Sequence, residues 1–493
     1  MAERIRGRLA RWLLRFGVAA AAAVGFLAVW IFWPRGSRIP VSAETTYLLK
    51  PLDADGYVDY VAAAGPPPDA LENAAAWYVP VATGQLRAEM GAARFTAACE
   101  KVGITVDPSV QELSEFEAYA AAADTPPARS DVSLTDESRR AADGPWADAE
   151  CPTVATWIDA HDAAIDRIVE GTRRPTFRFA AGSAGPDSVL AFGQSKRLFA
   201  RALVARSMRR LGHDDFEGAA ADIDAAFALA RHTNPDPPLI ESLIAAAVEA
   251  TALDAERQLL AHLSDEPKVC ERLRQIEARP PLTAPADAVR RGERFLLLTQ
   301  WQRLDRLARG RPSDEPAVFP PNLGGRAAAL RLDTAYASRE TNRLFDLAVD
   351  ALEAAPADRP RHLASLKTAI ALRPPAGIAA LLDREGVADM MLSLMRPALD
   401  VAVRSAVRIE ARDRLQRVFA SGRLFELGSG RPSATPEDLV PRYLARWPTD
   451  PFNGQPMPHA TAESGWTVFA GGETAAEAEA DVRFGDAPAD DVD

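Results

Sequence analysis

The arrangement in this chain most capable of proton transfer is His161-Asp162, with Asp159 and Asp166 one turn away on a helical pattern. Imidazole titrates near neutrality and binds metals through its neutral nitrogen, so the group could serve a metal site or an acid–base site. The other histidines, His213, His232, His262, His362 and His459, are scattered, with no pair at four-residue spacing and no HExxH. A lone histidine of this kind reads as structural. Asp53, Asp55 and Asp59 around Gly56 resemble part of a calcium loop, where alternating carboxylates converge on a hard cation. Placing Asp53 and Asp55 third and fifth puts Gly56 sixth, but Pro51 and Ala62 then stand where the first carboxylate and the bidentate glutamate belong. The stretch reads as a polar turn.

Nucleophile and nucleotide signatures are missing. No serine lies in GxSxG or three residues before a lysine, and no glycine-rich phosphate loop is present. Cys99, Cys151 and Cys270 form no CxxC, so the clustered ligands of a structural zinc site are absent. Two readings of the thiols stay open: a Cys99–Cys151 disulfide in an oxidising compartment with Cys270 left over, or three unpaired, semi-buried thiols. No catalytic, cofactor-binding or metal-binding residue is assigned on this basis, and no cofactor is expected. A basic stripe of Lys196, Arg197, Arg201, Arg206, Arg209 and Arg210 precedes Asp214, Asp215, Glu217, Asp222 and Asp224. On the two helices of a hairpin these would pair as bridges, each worth at most about 1 kcal/mol where exposed.

The elements that would position these residues are mostly helices. Apolar residues at helical spacing mark Leu71 to Tyr78 and Ala88 to Val102, whereas Asp124 to Cys151 is polar and reads as a loop or disordered insertion. Val154, Trp157, Ile158, His161 and Ile165 share one helical face. Phe199, Leu203, Val204, Met208 and Leu211 share another, stopped by Gly212, and Phe216, Ile223, Phe227 and Ala230 follow. The last two stripes predict an antiparallel hairpin, completed to three helices by Ile240 to Thr251. Later stripes run Phe295 to Leu307, Thr334 to Leu352 and Met390 to Leu427, with Pro397 marking a first turn or a kink in the last. Beyond Gly428, prolines take over. Asn453-Gly454 signals a turn, Trp466 to Phe469 alternates like a strand, and the acid-rich stretch from Glu473 reads as a solvated tail.

At the amino end Arg4, Arg6, Arg8, Arg11 and Arg15 run into an uncharged stretch, Phe16 to Trp33. As a helix it would span roughly 27 Å, near the roughly 30 Å of a bilayer core. The expectation is one inner-membrane crossing, with the amino terminus in the cytoplasm and the body in the periplasm or outside. Cleavage near Ala43, after Val41-Ser42, is the alternative. The chain has a net charge of −12 despite this basic head, so the body is strongly acidic, which argues against nucleic acid as a partner. The fold class expected is mainly α. Its parts are a basic head (1–15), a transmembrane helix (16–33), a tether with short helices and a polar loop (34–151) and an α-helical body (152–427). A turn-rich unit with a short β-hairpin (428–472) and an acidic disordered tail (473–493) follow.

Several segments together resemble an uncharacterised family of single-pass membrane proteins from planctomycete-type bacteria. They are Tyr57-Val58-Asp59-Tyr60-Val61, Glu170-Gly171-Thr172-Arg173-Arg174-Pro175, the Arg201 to Arg231 hairpin, Leu239-Ile240-Glu241 with its alanine-rich helix, and Trp447 to Gly454. That resemblance implies a membrane protein and no particular activity. The Arg412 to Phe469 region is similar to the end of pseudopilin-like chains: a long helix, Leu439-Val440-Pro441, an Asp450-Pro451-Phe452-Asn453-Gly454 turn and a final strand. Pseudopilins join anchor and helix directly; here about 350 residues separate them, so pilus assembly is not implied. The function expected is a non-enzymatic interaction or scaffold protein of the cell envelope with a protein partner. The alternative is a hydrolase with an acid/His site assembled from distant helices, such as one that uses Asp159, Asp162 or Asp166 near His161.

Overall fold

The computed structural model describes residues 38–66, 68–122, 133–179, 186–280, 282, 285–309, 311, 332–371, 384–462, 465–470 and 480–485. Among these the chain is mainly helical, as its periodicity predicts. The transmembrane expectation is corrected: no helix among the described residues is long and apolar enough to cross a membrane, and Phe16 to Trp33 lies outside them. Length alone does not make a span. The 46-residue helix Arg384–Ser429 carries arginines and acids along its whole course. The helices labelled below are α1 (Ala75–Val81), α2 (Leu134–Asp143), α3 (Pro152–Thr172), α4 (Pro186–Gly212), α5 (Phe216–Arg231), α6 (Leu239–His262), α7 (Glu266–Ala278), α8 (Arg294–Ala308), α9 (Thr334–Glu353), α10 (Arg359–Ala371) and α11 (Arg384–Ser429).

The chain divides into two compact units, each drawn from three separate stretches. The first comprises residues up to Tyr60, 294–344 and 370–397. Its core is the α8 stripe Phe295, Leu298, Trp301 and Leu304, packed with Ala337 of α9, Val387 and Leu392 of α11, and Val58 and Tyr60. Steps of three along α8 set these side chains in an inclined ridge that winds part of the way around the helix. Polar groups tie the same elements together: Trp301 Nε1 donates to Thr341 Oγ1 (2.9 Å), and Tyr57 donates to Asp305 (2.6 Å). The Asp53 to Asp59 stretch is the polar turn expected. Asp53 Oδ1 accepts the N–H groups of Asp55 and Tyr57, and the carboxylates of Asp53 and Asp55 pair with Arg306 and Arg311.

The second unit comprises 61–293, 345–369 and the residues from 398 onward. The expected hairpin forms. The chain reverses through Asp214, in the left-handed region at φ 60°, and the Asp215 side chain accepts the Gly218 N–H to start α5. α6 packs against both, with Gly193 of α4 letting Ile244 approach: a Cβ there would sit 2.2 Å from Ile244 Cδ1. α3 also packs on α4, and its predicted face (Val154, Trp157, Ile158, His161 and Ile165) points inward.

Two departures from expectation are instructive. The stretch expected as a loop contains α2, capped by Ser133, whose hydroxyl accepts the Asp136 N–H, and is followed by the wholly buried Trp146. α2 buries only Glu137 and Ala141, so no large apolar stripe announces it. At the other end β1 (His459–Ala462), β2 (Gly465–Ala470) and β3 (Ala480–Gly485) form an antiparallel sheet in the order β1-β2-β3, with Thr467 opposite Ala460 and Arg483. β3 lies where a solvated tail was expected. Val468 of β2 packs with Leu439 and Met457 onto Ala411, Leu415 and Val418 of α11. Pro397 lies inside α11, not in its first turn.

Candidate functional site

His161 is buried on α3, and its partners assign its tautomer. Nδ1 lies 2.8 Å from the Trp157 carbonyl one turn earlier. A carbonyl can only accept, so Nδ1 carries the proton and Nε2 accepts from Ser114 Oγ at 3.0 Å. Tyr119 meets the ring edge-on, with centroids 5.3 Å apart. Both ring nitrogens are thus engaged by a carbonyl and a hydroxyl.

The acids named beside it turn to arginines of α4. Arg206 is buried and donates to Asp162 and Asp166 (2.7 Å each) and, through Nε and Nη2, to both oxygens of Asp222 on α5 (3.0 and 2.7 Å). Arg210 adds a third bond to Asp222 at 2.7 Å. Burial works against charge on Arg206, but the carboxylates of Asp222, Asp166 and Asp162 hold its pKa above its ordinary value. One turn on, Arg209 donates to Asp159 (2.6 Å) and Asp148 (2.7 Å), and with His213 it holds the Asp148 carboxyl down to about 2. The structure therefore gathers Asp159, Asp162 and Asp166 against α4 and brings none of them to His161.

Of the predicted stripe-to-hairpin pairs, Asp222 is the principal one formed. Asp215 caps its own helix and also pairs with Arg210 at 3.7 Å, whereas Asp224 pairs with Arg272 of α7 at 2.8 Å. Arg201 reaches Glu115, and Lys196 reaches Glu241 of α6. Bonds from one buried guanidinium on α4 to carboxylates of two other helices, α3 and α5, fix the rotation of all three about their axes more sharply than apolar contact does, because they are directional.

Lys196, read from the sequence as part of the basic stripe, belongs instead to a buried polar cluster that sequence reasoning missed. It sits between Phe192 and Phe199 at helical spacing, on the inward face of α4, and is 2% exposed. Its Nζ donates to the His232 carbonyl, lies 3.3 Å from Glu241 Oε1 and rests over the Phe177 ring, 4.3 Å from the centroid. His232 bonds Tyr78 through Nδ1 (2.8 Å) and the Arg174 carbonyl through Nε2 (3.0 Å). Asn234 donates from its backbone N–H and side chain to Glu241 (2.9 and 3.0 Å) and accepts the Phe179 N–H (2.8 Å). Burial, then the charge of Lys196, push the His232 pKa down to about 4, while burial lowers Lys196 and raises Tyr78. The available signal was a lone lysine in an apolar stripe.

Among the described residues no group of three or more His, Cys, Asp or Glu could hold a metal ion. The three cysteines are unpaired; Cys99 and Cys151 are buried, and burial pushes both thiols up to about 11. A cavity of about 60 Å³ lies between Phe116, Val154, Trp157 and Leu198, with the Glu115–Arg201 pair among its lining residues. Its volume holds a few waters or a small aliphatic group. No protein-family model matches the chain, and no curated protein or solved structure matches it.

Proposed function

We propose that this chain is a non-enzymatic helical scaffold whose helix surfaces are presented to a protein partner. The observation that carries this reading is the commitment of the chemically capable side chains to joining helices. Arg206 and Arg209 hold Asp159, Asp162 and Asp166, and the nitrogens of His161 are taken by a backbone carbonyl and a serine. Groups so committed keep helix faces in fixed register, which is what a presenting surface requires. The buried cluster around Lys196 has the same character, since the side-chain polar atoms of Glu241 and His232 join one element to another. Kinship with the uncharacterised planctomycete-type family is part of the proposal and adds no activity to it.

The test is photo-crosslinking in cells of the organism that makes the protein, with a reactive side chain placed in turn at Leu71 and at Leu190, which are 73% and 44% exposed. A discrete adduct with one protein, recovered from at least one position and lost when the helices are unfolded, is expected. A hydrolase activity in the purified chain that His161→Ala abolishes, while leaving the fold intact, would overturn the proposal in favour of the acid–histidine alternative.

A further inference from the structure

We propose that the buried cluster of Lys196, His232, Tyr78 and Glu241 is an acid-released latch that fastens the 173–179 segment and the 232–238 turn to α1, α4 and α6. The bonds run in one chain. Tyr78 of α1 meets His232 in the turn; His232 meets the Arg174 carbonyl; Lys196 of α4 meets the His232 carbonyl; Glu241 of α6 accepts from Asn234, which in turn accepts the Phe179 N–H. Five separate pieces of backbone depend on it.

The chain of bonds works with neutral His232 alone. Nε2 faces a carbonyl and must donate, so Nδ1 must accept the Tyr78 hydroxyl proton. A second proton on the ring turns Nδ1 into a donor. Tyr78 must then accept, and its own hydrogen is left among the rings of Phe177, Phe192 and Phe199 in a site where Tyr78 has no exposure. The added charge would also stand beside the Lys196 ammonium, whose anionic partner Glu241 is already shared with Asn234.

The other charged groups around the cluster are engaged elsewhere. Arg174 pairs with Glu170 and lies over Trp77, and Arg178 donates to the carbonyls of Gly65 and Pro66. Arg231 pairs with Glu249, and Asp236 with Arg291. Protonation thus breaks the latch at its centre instead of recruiting a new counter-ion. Its release uncovers Phe177 and Phe179, which are 4% and 1% exposed in the closed form.

The sign follows from linkage. Folded His232 titrates at about 4, below its ordinary 6.5, so the open form binds the proton first. Closure is complete above the ordinary value and weakens as pH falls toward 4. The test is hydrogen exchange on the full chain from pH 7 to pH 4, corrected for intrinsic rate. Peptides containing Phe179 and Asn234 should lose protection by roughly 100-fold over that range, while the interior of α4 around Leu203 changes little. In His232→Gln the loss with pH should vanish, whatever the starting protection. The latch is overturned by loss that runs in parallel along the whole chain, or by loss that persists in His232→Gln. Should that variant fail to fold, the ring resonances of His232 in the native chain decide: titration at pH 6 or above would equally overturn it.

Discussion

Arg206 shows how one residue can hold several elements. Its guanidinium is buried with Asp222, which is 1% exposed, while Asp162 and Asp166 keep more than half of their side-chain surface in water. Removing the cation leaves a buried carboxylate with Arg210 as its remaining partner, so Arg206→Ala should cost about 3–5 kcal/mol in denaturant unfolding. The reverse change, Asp162→Ala, removes a solvated partner and should cost under about 1 kcal/mol. A similar cost for both would mean that Asp222 is not held by Arg206. At the thiols, burial is the deciding quantity. Cys270, half-buried, should react with a thiol reagent at pH 8 before Cys99 and Cys151, which should label only on unfolding. Residue-scale chemistry was partly legible. The basic stripe and the acids of the following helix were legible as partners, with Arg206 and Asp222 among them but not singled out, and His161 was legible on an apolar helical face. Lys196 was legible as a member of the basic stripe but not as a buried group, because periodicity does not report its partners, the His232 carbonyl and the Glu241 carboxylate, which lie 36 and 45 residues further along the chain.

Helices were legible where apolar residues recur at 3.6-residue spacing, as in α3 to α6, and illegible where packing rests on small residues or caps. α2 is the clear case, with a serine cap and Ala141 doing what a leucine stripe does elsewhere. Close approaches tell the same story. A Cβ on Gly212, which ends α4, would lie 2.1 Å from the Trp146 carbonyl oxygen, and one on Gly292 would lie 1.9 Å from that of Pro237. Gly292 sits in a π turn, Ala288–Glu293, whose Glu293 accepts the Leu239 N–H at the start of α6. Backbone atoms cannot step aside as a side chain can, so Gly212→Ala and Gly292→Ala should each cost about 1–3 kcal/mol or more, read as a fall in melting temperature. Breaking the Arg274–Glu271 bridge on α7, whose partners are 69% and 51% exposed, should change stability by less than about 0.5 kcal/mol in the same assay.

Each of the two units has its own apolar core, and neither is a continuous stretch of chain. Trp301→Ala, in the first unit, should cost about 3–5 kcal/mol, with the exchange protection lost first in peptides from α8 and the first half of α9. Sequence periodicity could find those helices but not their allocation to units, because it reports which face of a helix is buried and not which distant helix covers it. The separation has a temporal side. Tyr57 and its hydrogen-bond partner Asp305 are 248 residues apart. A ribosome adding about 5–20 residues per second therefore leaves the earlier segment waiting roughly 12–50 s for the helix that receives it. During that interval Tyr57, Tyr60 and Val58, all buried in the finished protein, are nascent apolar surface without a home. Yield of the folded chain should thus depend on translation speed and on whatever holds the emerging segment until α8 has been made.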